Sequence, residues 1–255
     1  MRPSAAETAR TLARGRLHGL VRFDDGAAVT GVQHATDRLG RPLLLVPAGE
    51  ELAAVLRGRE APRVSLSVDD VPPRFGAPSL GRVRVVGDLL PVPEAERRDA
   101  VLEYARSNAD PDLFDVVGGG VGGDGVAIHR IAPDRVTLNR GGTTELVDLA
   151  AYVSASPDPI HECEQDLLAD LADHHAPQIE GYLCRLLGDA TAFADRPPQV
   201  MRLDRYGLVV DLGERAGDLG RGRWVRLEFA RAVTGQHDLA HLLHPILCCH
   251  HRDDE

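Results

Sequence analysis

The run Gln165–Leu187, QDLLADLADHHAPQIEGYLCRLL, constrains the fold more than any other stretch of the chain. Leu167, Leu168, Leu171, His175, Ile179, Leu183, Leu186 and Leu187 recur at the three- and four-residue spacing of a helix with one apolar face. Carboxylates crowd its first turns, where the helix dipole favours negative charge. Pro177 removes an amide donor inside this pattern, so the spacing predicts a kink, or two shorter helices meeting just after His174 and His175. An apolar face of that length needs something to pack on. Val200–Leu212 and Arg223–Phe229 are β-prone, and Gly235–Cys248 is helical, which predicts a small α+β domain over residues 160–251, ordered helix, strand, strand, helix.

Upstream the period changes from helical to alternating. Ala5–Leu17 predicts a short helix capped by Ser4 or Thr8, and Gly19–Phe23 with Ala27–His34 predicts a hairpin about Asp24-Asp25-Gly26. Arg41–Val46 is an almost continuous apolar run of strand length, followed by a short helix at Glu50–Leu56. Arg63–Val68 and Leu80–Leu90 alternate, with Gly87 as a bulge, and Glu94–Arg106 is helical. Gly118–Gly125, GGGVGGDG, reads as a flexible loop; a phosphate cradle would need a helix after it, whereas Val126–Ile131 reads as a strand. Ala127–Ile131 and Arg135–Asn139 then predict a closing hairpin about Pro133-Asp134, after which Arg140-Gly141-Gly142 bends the chain into Glu145–Tyr152. Six or seven mostly antiparallel strands with two interspersed helices predict an α+β chain whose residues 1–155 form a split antiparallel β-barrel, with Ser154–Pro159 as linker.

Composition narrows the functions. The 255 residues carry a formal charge of −10, which argues against phosphate-backbone binding and so against a nucleic-acid partner. All basic residues are arginines; without lysine there is no Schiff-base or P-loop chemistry, and the bias is that of a GC-rich bacterial genome. The beginning MRPSAAETARTLARGR lacks an apolar run of signal-peptide length, and nowhere are there the roughly 20 apolar residues of a membrane span. The expectation is a cytoplasmic protein without membrane contact, whose Cys163, Cys184, Cys248 and Cys249 stay thiols.

Several stretches carry a resemblance. ADHHAPQI, MRLDRYGL and RLEFARAV, followed by a helix, resemble the small C-terminal α/β domain of the HugZ-type haem-utilisation family. RPLLLV, RVSLSV, GRVRVVGDLLPV and IHRIAPDRVTLNRGG are similar, in order, to strands of the flavin-binding split barrel of the pyridoxamine-phosphate-oxidase-like superfamily, to which that family belongs. His175 takes the family's histidine position, with Ala172 where its asparagine stands; Gly49–Ala53 replaces its His-Thr-x-Asn stretch, and Arg140-Gly141-Gly142 its Gly-Phe-Gly. The resemblance implies haem as cofactor and FMN as the alternative. It implies an iron-binding imidazole from a C-terminal tail, matched by His250 or His251, or from near the end of the barrel, matched by His161. His175 and Arg140 join these as candidate cofactor-binding residues.

The residues themselves suggest two further sites. His237, His241, His244 and Cys248 fall on one stripe of the last helix, each within about 40° of His237, where a surface helix carries its polar side and where imidazole and thiolate suit a soft transition metal. Arg63, Ser65, Ser67, Arg82 and Arg84 share strand faces that a phosphate would need or that water would solvate, with Asp69-Asp70 adjoining as a repulsive pair. Asp110, Asp112 and Asp115 need no more than a turn, and Trp224, starting a strand, reads as core. No serine elbow or zinc-protease motif occurs. The expectations are therefore a homodimeric haem-binding protein, with haem degradation as its catalytic form; a non-catalytic dimeric binding or regulatory protein on the same fold; or an FMN- or deazaflavin-dependent oxidoreductase. A dimer is expected because an open barrel leaves sheet edges to cover.

Overall fold

A computed structural model describes residues 1–108, 113, 116, 126–188, 196–213 and 224–247. The chain divides into two compact units, one of Ser4–Val71 and Ser79–Pro157, the other of Met1–Pro3, Pro72–Pro78 and Asp158–Glu255.

The first unit opens with α1 (Ala5–Ala13), whose start is a capping box: Ser4 accepts from the Glu7 amide while Glu7 reaches back to the Ser4 amide at 2.8 Å. Then come β1 (Gly19–Phe23), β2 (Ala28–Val32), β3 (His34–Thr36), β4 (Pro42–Val46), α2 (Glu51–Leu56), β5 (Arg63–Asp69), β6 (Arg82–Pro91), α3 (Glu94–Ala105), β7 (Ala127–Arg140), β8 (Thr143–Val147) and α4 (Leu149–Ser154). Eight strands form one antiparallel sheet in the order β2-β1-β5-β6-β7-β4-β3, with β8 also on β7. The two ends of that path, β2 and β3, are separated in sequence only by Gln33. A single residue spans at most about 7 Å between the flanking Cα atoms, so the sheet has to curl until its ends meet. The result is a mixed α+β fold built on a half-barrel that is closed by the chain itself.

Alternation along the strands fills the inside. Val21, Leu66, Val85, Val136 and Val147 face one another across five strands, and all are buried against Ala9, Leu12 and Ala13 of α1. On β4, Leu44 and Val46 join this core while Leu43 and Leu45 pack with α3 in a second one, which explains the unbroken apolar run RPLLLV. His34 is fully buried. Burial lowers its pKa to about 4 and keeps the ring neutral.

Two expectations change here. Ala127–Ile131 and Arg135–Asn139 are not a hairpin but one strand, because both halves pair in succession with β6. Pro133 faces Gly87 at a bulge, where its missing N–H breaks no ladder bond, and a Cβ on Gly87 would stand 1.9 Å from the Ala132 carbonyl oxygen. The hairpin is instead β7–β8, turning at Gly141 and Gly142, both with positive φ. The predicted strand Ala27–His34 is likewise broken at Gln33, where the chain passes from one end of the sheet to the other.

The second unit holds α5 (Glu164–His174), α6 (Ala176–Leu187), β9 (Gln199–Asp204), β10 (Gly207–Asp211), β11 (Trp224–Glu228) and α7 (Gln236–Leu247). The break at Pro177 falls as its chemistry requires, with the proline in the first turn of α6 and His175 between the helices. Val200–Leu212, expected as one strand, folds back at Arg205-Tyr206, so the sheet has three strands in the order β11-β10-β9. Leu168, Leu171, Ile179, Leu183, Leu203, Leu208, Val210, Leu239 and Leu243 form its core. Trp224 is not in it; the residue is 40% exposed at the start of β11.

Candidate functional site

The outer face of the half-barrel carries the polar half of every alternating strand. Strand register lines up Leu20 of β1, Ser67 of β5, Arg84 of β6, Thr137 of β7 and Leu146 of β8 in one row. The next row holds Arg22, Ser65, Val86 and Arg135, and on the other side lie Asp69, Arg82, Asn139 and Thr144. Side chains one step along the diagonal of adjacent strands stand about 7–8 Å apart, which puts Arg84 within reach of both the Arg135 and Ser65 positions.

The charges on this face divide into two kinds. Arg82 Nε is 2.6 Å from Asp69 Oδ1, and Arg63 pairs with Asp134 at 2.6 Å, so both guanidiniums are neutralised where they lie. Arg140, expected at a cofactor, stands at the end of β7 with Glu145 at 3.8 Å. Arg22 and Arg84 have no carboxylate within ion-pair distance among the described residues, and Arg135 shares with Arg63 the field of the Asp134 carboxylate. Arg84 lies over Ser67, its Nε donating to Oγ at 3.3 Å, and leaves the rest of its guanidinium fork for something else. Of the Asp69-Asp70 pair, Asp69 is held by Arg82, and Asp70 is buried and accepts from the Leu80 amide at 2.8 Å. Hydroxyls at Ser65, Ser67 and Thr137 and apolar groups at Leu20, Val86 and Leu146, the last 69% exposed, complete a surface suited to a flat, anionic ligand.

Two hollows in the same unit are suited to other ligands. One of about 300 Å³ is lined by Arg38, Arg41, Arg106 and Arg130, each within ion-pair distance of Asp37, Glu96 or Glu103, and also by Asp99, so its charges balance. Another of about 460 Å³ lies beside β2 and α2 with Glu50 and Glu51 at its edge, and repels anions. Its lining takes Glu50, Glu51 and Leu52 from the stretch that departs from the resembled family.

In the second unit the expected His161 and His175 each stand beside a carboxylate. His161 is buried, with Nδ1 3.8 Å from Glu164 Oε2, beside a pair in which Arg202 donates to Glu164 through Nε at 3.0 Å and Nη2 at 2.9 Å. Burial pushes the Glu164 pKa up, but the pull of His161 and Arg202 outweighs it and brings it to about 2. His175 Nε2 stands 3.9 Å from Asp170 Oδ2. The eleven residues of α5, about 16 Å of helix, separate His161 from His175, so they are not one site. Of the histidine stripe on α7, His237 and His241 meet, their Nε2 atoms 3.0 Å apart. His250, His251, Cys248, Cys249 and the Gly118–Gly125 loop lie outside the described residues, as do Asp110, Asp112 and Asp115.

Local alternation was enough to single out Arg63, Ser65, Ser67, Arg82 and Arg84. Arg22, Arg135 and Thr137 were missed, because only the strand order β1-β5-β6-β7 brings them to the same place. No helix of the described residues is long and apolar enough to cross a membrane, and none of their His, Cys, Asp and Glu side chains gather in threes as a metal site.

No protein-family model and no curated protein matches the sequence. Among solved structures, a haem-binding protein from Mycobacterium smegmatis matches over 97% of this chain and 98% of its own, with a TM-score of 0.66 and 21% identity. A protein of unknown function from Agrobacterium tumefaciens matches over 97% of each chain with a TM-score of 0.42 and 16% identity. An FAD-binding protein from M. smegmatis matches 52% of this chain and 92% of its own, with a TM-score of 0.36 and 16% identity. The first of these likenesses establishes a shared fold along the whole chain.

Proposed function

We propose that the chain is a homodimeric haem-binding protein that anchors its ligand's carboxylates on the outer sheet face. The observation that carries the reading is the row centred on Arg84, with Arg22 and Arg135 in the next row and no ion pair among the described residues at Arg84 or Arg22. Arginine forks match carboxylates in bidentate geometry, and Leu20, Val86 and Leu146 offer apolar contact to a macrocycle between them. The fold shared with a haem-binding protein supports the same reading.

The residues fit the acidic edge of haem and no more than that edge, since the face has no histidine on it. The axial imidazole is assigned to the tail, His250 or His251, rather than to His161, whose ring is buried beside Glu164. When bound, haem supplies the iron chemistry, including its own oxidation. The chain's part is to hold the carboxylates, orient the ring by the Leu20, Val86 and Leu146 contacts, and limit water on the covered side. The dimer would cover the exposed Leu146 and the outer edge of β8, which no other strand pairs among the described residues.

Adding hemin to the purified protein tests the reading. It predicts a stoichiometric shift of the Soret band, and an unchanged hemin spectrum would reject it. Loss of that band on adding ascorbate in air would extend the function to haem degradation.

A second reading places the phosphate of FMN on the same face. What favours it is that Ser65, Ser67 and Thr137 surround Arg84, because a dianion wants converging hydroxyl and guanidinium donors. It predicts a yellow preparation that releases FMN fluorescence on heating and gives no Soret shift.

A further inference from the structure

The exposed face of α7 carries a contact that the fold does not require. His237 and His241 are four residues apart, both exposed, with ring planes at 83° and Nε2 atoms 3.0 Å from each other. The centroids are 4.5 Å apart against 3.0 Å for the nitrogens, so the rings do not meet end to end. Neither ring contributes to the core, which α7 enters through Leu239 and Leu243. Asp238, between them in sequence, is already taken up by Arg231 and by the Thr234 amide. Two imidazoles brought together on solvent leave a site for a third partner.

We infer that His237 and His241 chelate a divalent transition-metal ion through their Nε2 atoms. With metal–nitrogen distances of about 2.0–2.1 Å, two nitrogens 3.0 Å apart subtend about 94° at the ion. That is the cis angle of a tetragonal or octahedral shell, which Cu²⁺ and Ni²⁺ adopt with nitrogen ligands, and it is tighter than the roughly 109° of tetrahedral Zn²⁺. Each ring then carries its proton on Nδ1 and turns a lone pair at Nε2 to the metal. Water fills the other positions, since no third His, Cys, Asp or Glu of the described residues is placed to do so. The site is independent of the sheet face, and its probe is the metal alone.

Cysteine and histidine side chains of the tail would take up Cu²⁺ as well, so the test uses the full chain with Cys248→Ser, Cys249→Ser, His250→Ala and His251→Ala. Titration with Cu²⁺ is followed by calorimetry, and by electron paramagnetic resonance for nitrogen hyperfine structure. One equivalent with imidazole nitrogen couplings is expected. His237→Gln and His241→Gln, which keep a good helix former on an exposed face, should each abolish it, with circular dichroism reporting an intact fold. Removing His174 and His175 instead should leave it unchanged. The inference is overturned if the tail-silenced chain takes up no Cu²⁺, or if uptake survives loss of both His237 and His241.

Discussion

Arg84 lies across Ser67, its Nε 3.3 Å from the hydroxyl oxygen, on a sheet face where Arg82 and Arg63 are held by carboxylates and Arg84 is not. A cation held by one neutral hydroxyl does little for stability, because an exposed side chain loses little water when it makes such a contact. Replacing Arg84 with alanine should therefore change unfolding free energy by no more than about 0.5 kcal/mol in urea titrations. Any larger loss would mean that the side chain is part of the scaffold and not of a ligand site.

Gly87 and Pro133 make a complementary prediction. Gly87→Ala would drive a Cβ against the Ala132 carbonyl at a register that fourteen residues of β7 hold in place. A cost of about 1–3 kcal/mol is expected, the range for overpacking a site that cannot relax. Pro133→Ala should be tolerated within about 1 kcal/mol, because the amide it adds faces a bulge. Paired denaturation curves of the two variants check both.

The same pair shows what could be read from sequence and what could not. Pro133-Asp134 is turn chemistry by local rules, yet the chain runs straight through it because Gly87, some 45 residues earlier, leaves room for the bulge. Local signals did serve where local physics decides: Pro177 divides α5 from α6, Gly87 sits at the bulge, and Ser4 caps α1 with Glu7. The candidate face was half legible, since β5 and β6 are consecutive and their alternation places Ser67 and Arg84 together. Arg22 and Arg135 belong to it only through pairings that span much of the domain. Trp224 was misjudged because an isolated aromatic says nothing about which side of an edge strand it takes.

His34 makes stability depend on pH. Its folded pKa is lowered to about 4 by burial, so the unfolded chain, with an ordinary histidine pKa near 6.5, takes up the proton first as pH falls. The stability is fully present above about pH 6.5 and is lost progressively down to about pH 4, on the order of 3 kcal/mol in all. Thermal melts from pH 7.5 to 4 should show this slope, and His34→Leu should flatten it.

Glu164 acts in a lower window. Its pKa is brought down to about 2, so its contribution is present above about 4.5 and lost as pH falls towards 2. Glu164→Gln leaves Arg202 buried without its counter-ion and should cost about 3–5 kcal/mol. The double change Glu164→Leu with Arg202→Met should cost less than the single one, as measured by denaturant midpoints, because no buried charge remains.

The arginines of the sheet face are the proposed ligand contacts, and the most direct measurement of them is a hemin titration of the wild-type chain beside Arg22→Ala/Arg84→Ala/Arg135→Ala. Each charge-assisted hydrogen bond is worth about 1.5–3 kcal/mol, so the triple variant should bind hemin at least about tenfold more weakly while melting at an unchanged temperature. Equal affinity in the two proteins would contradict the assignment of this face as the ligand site.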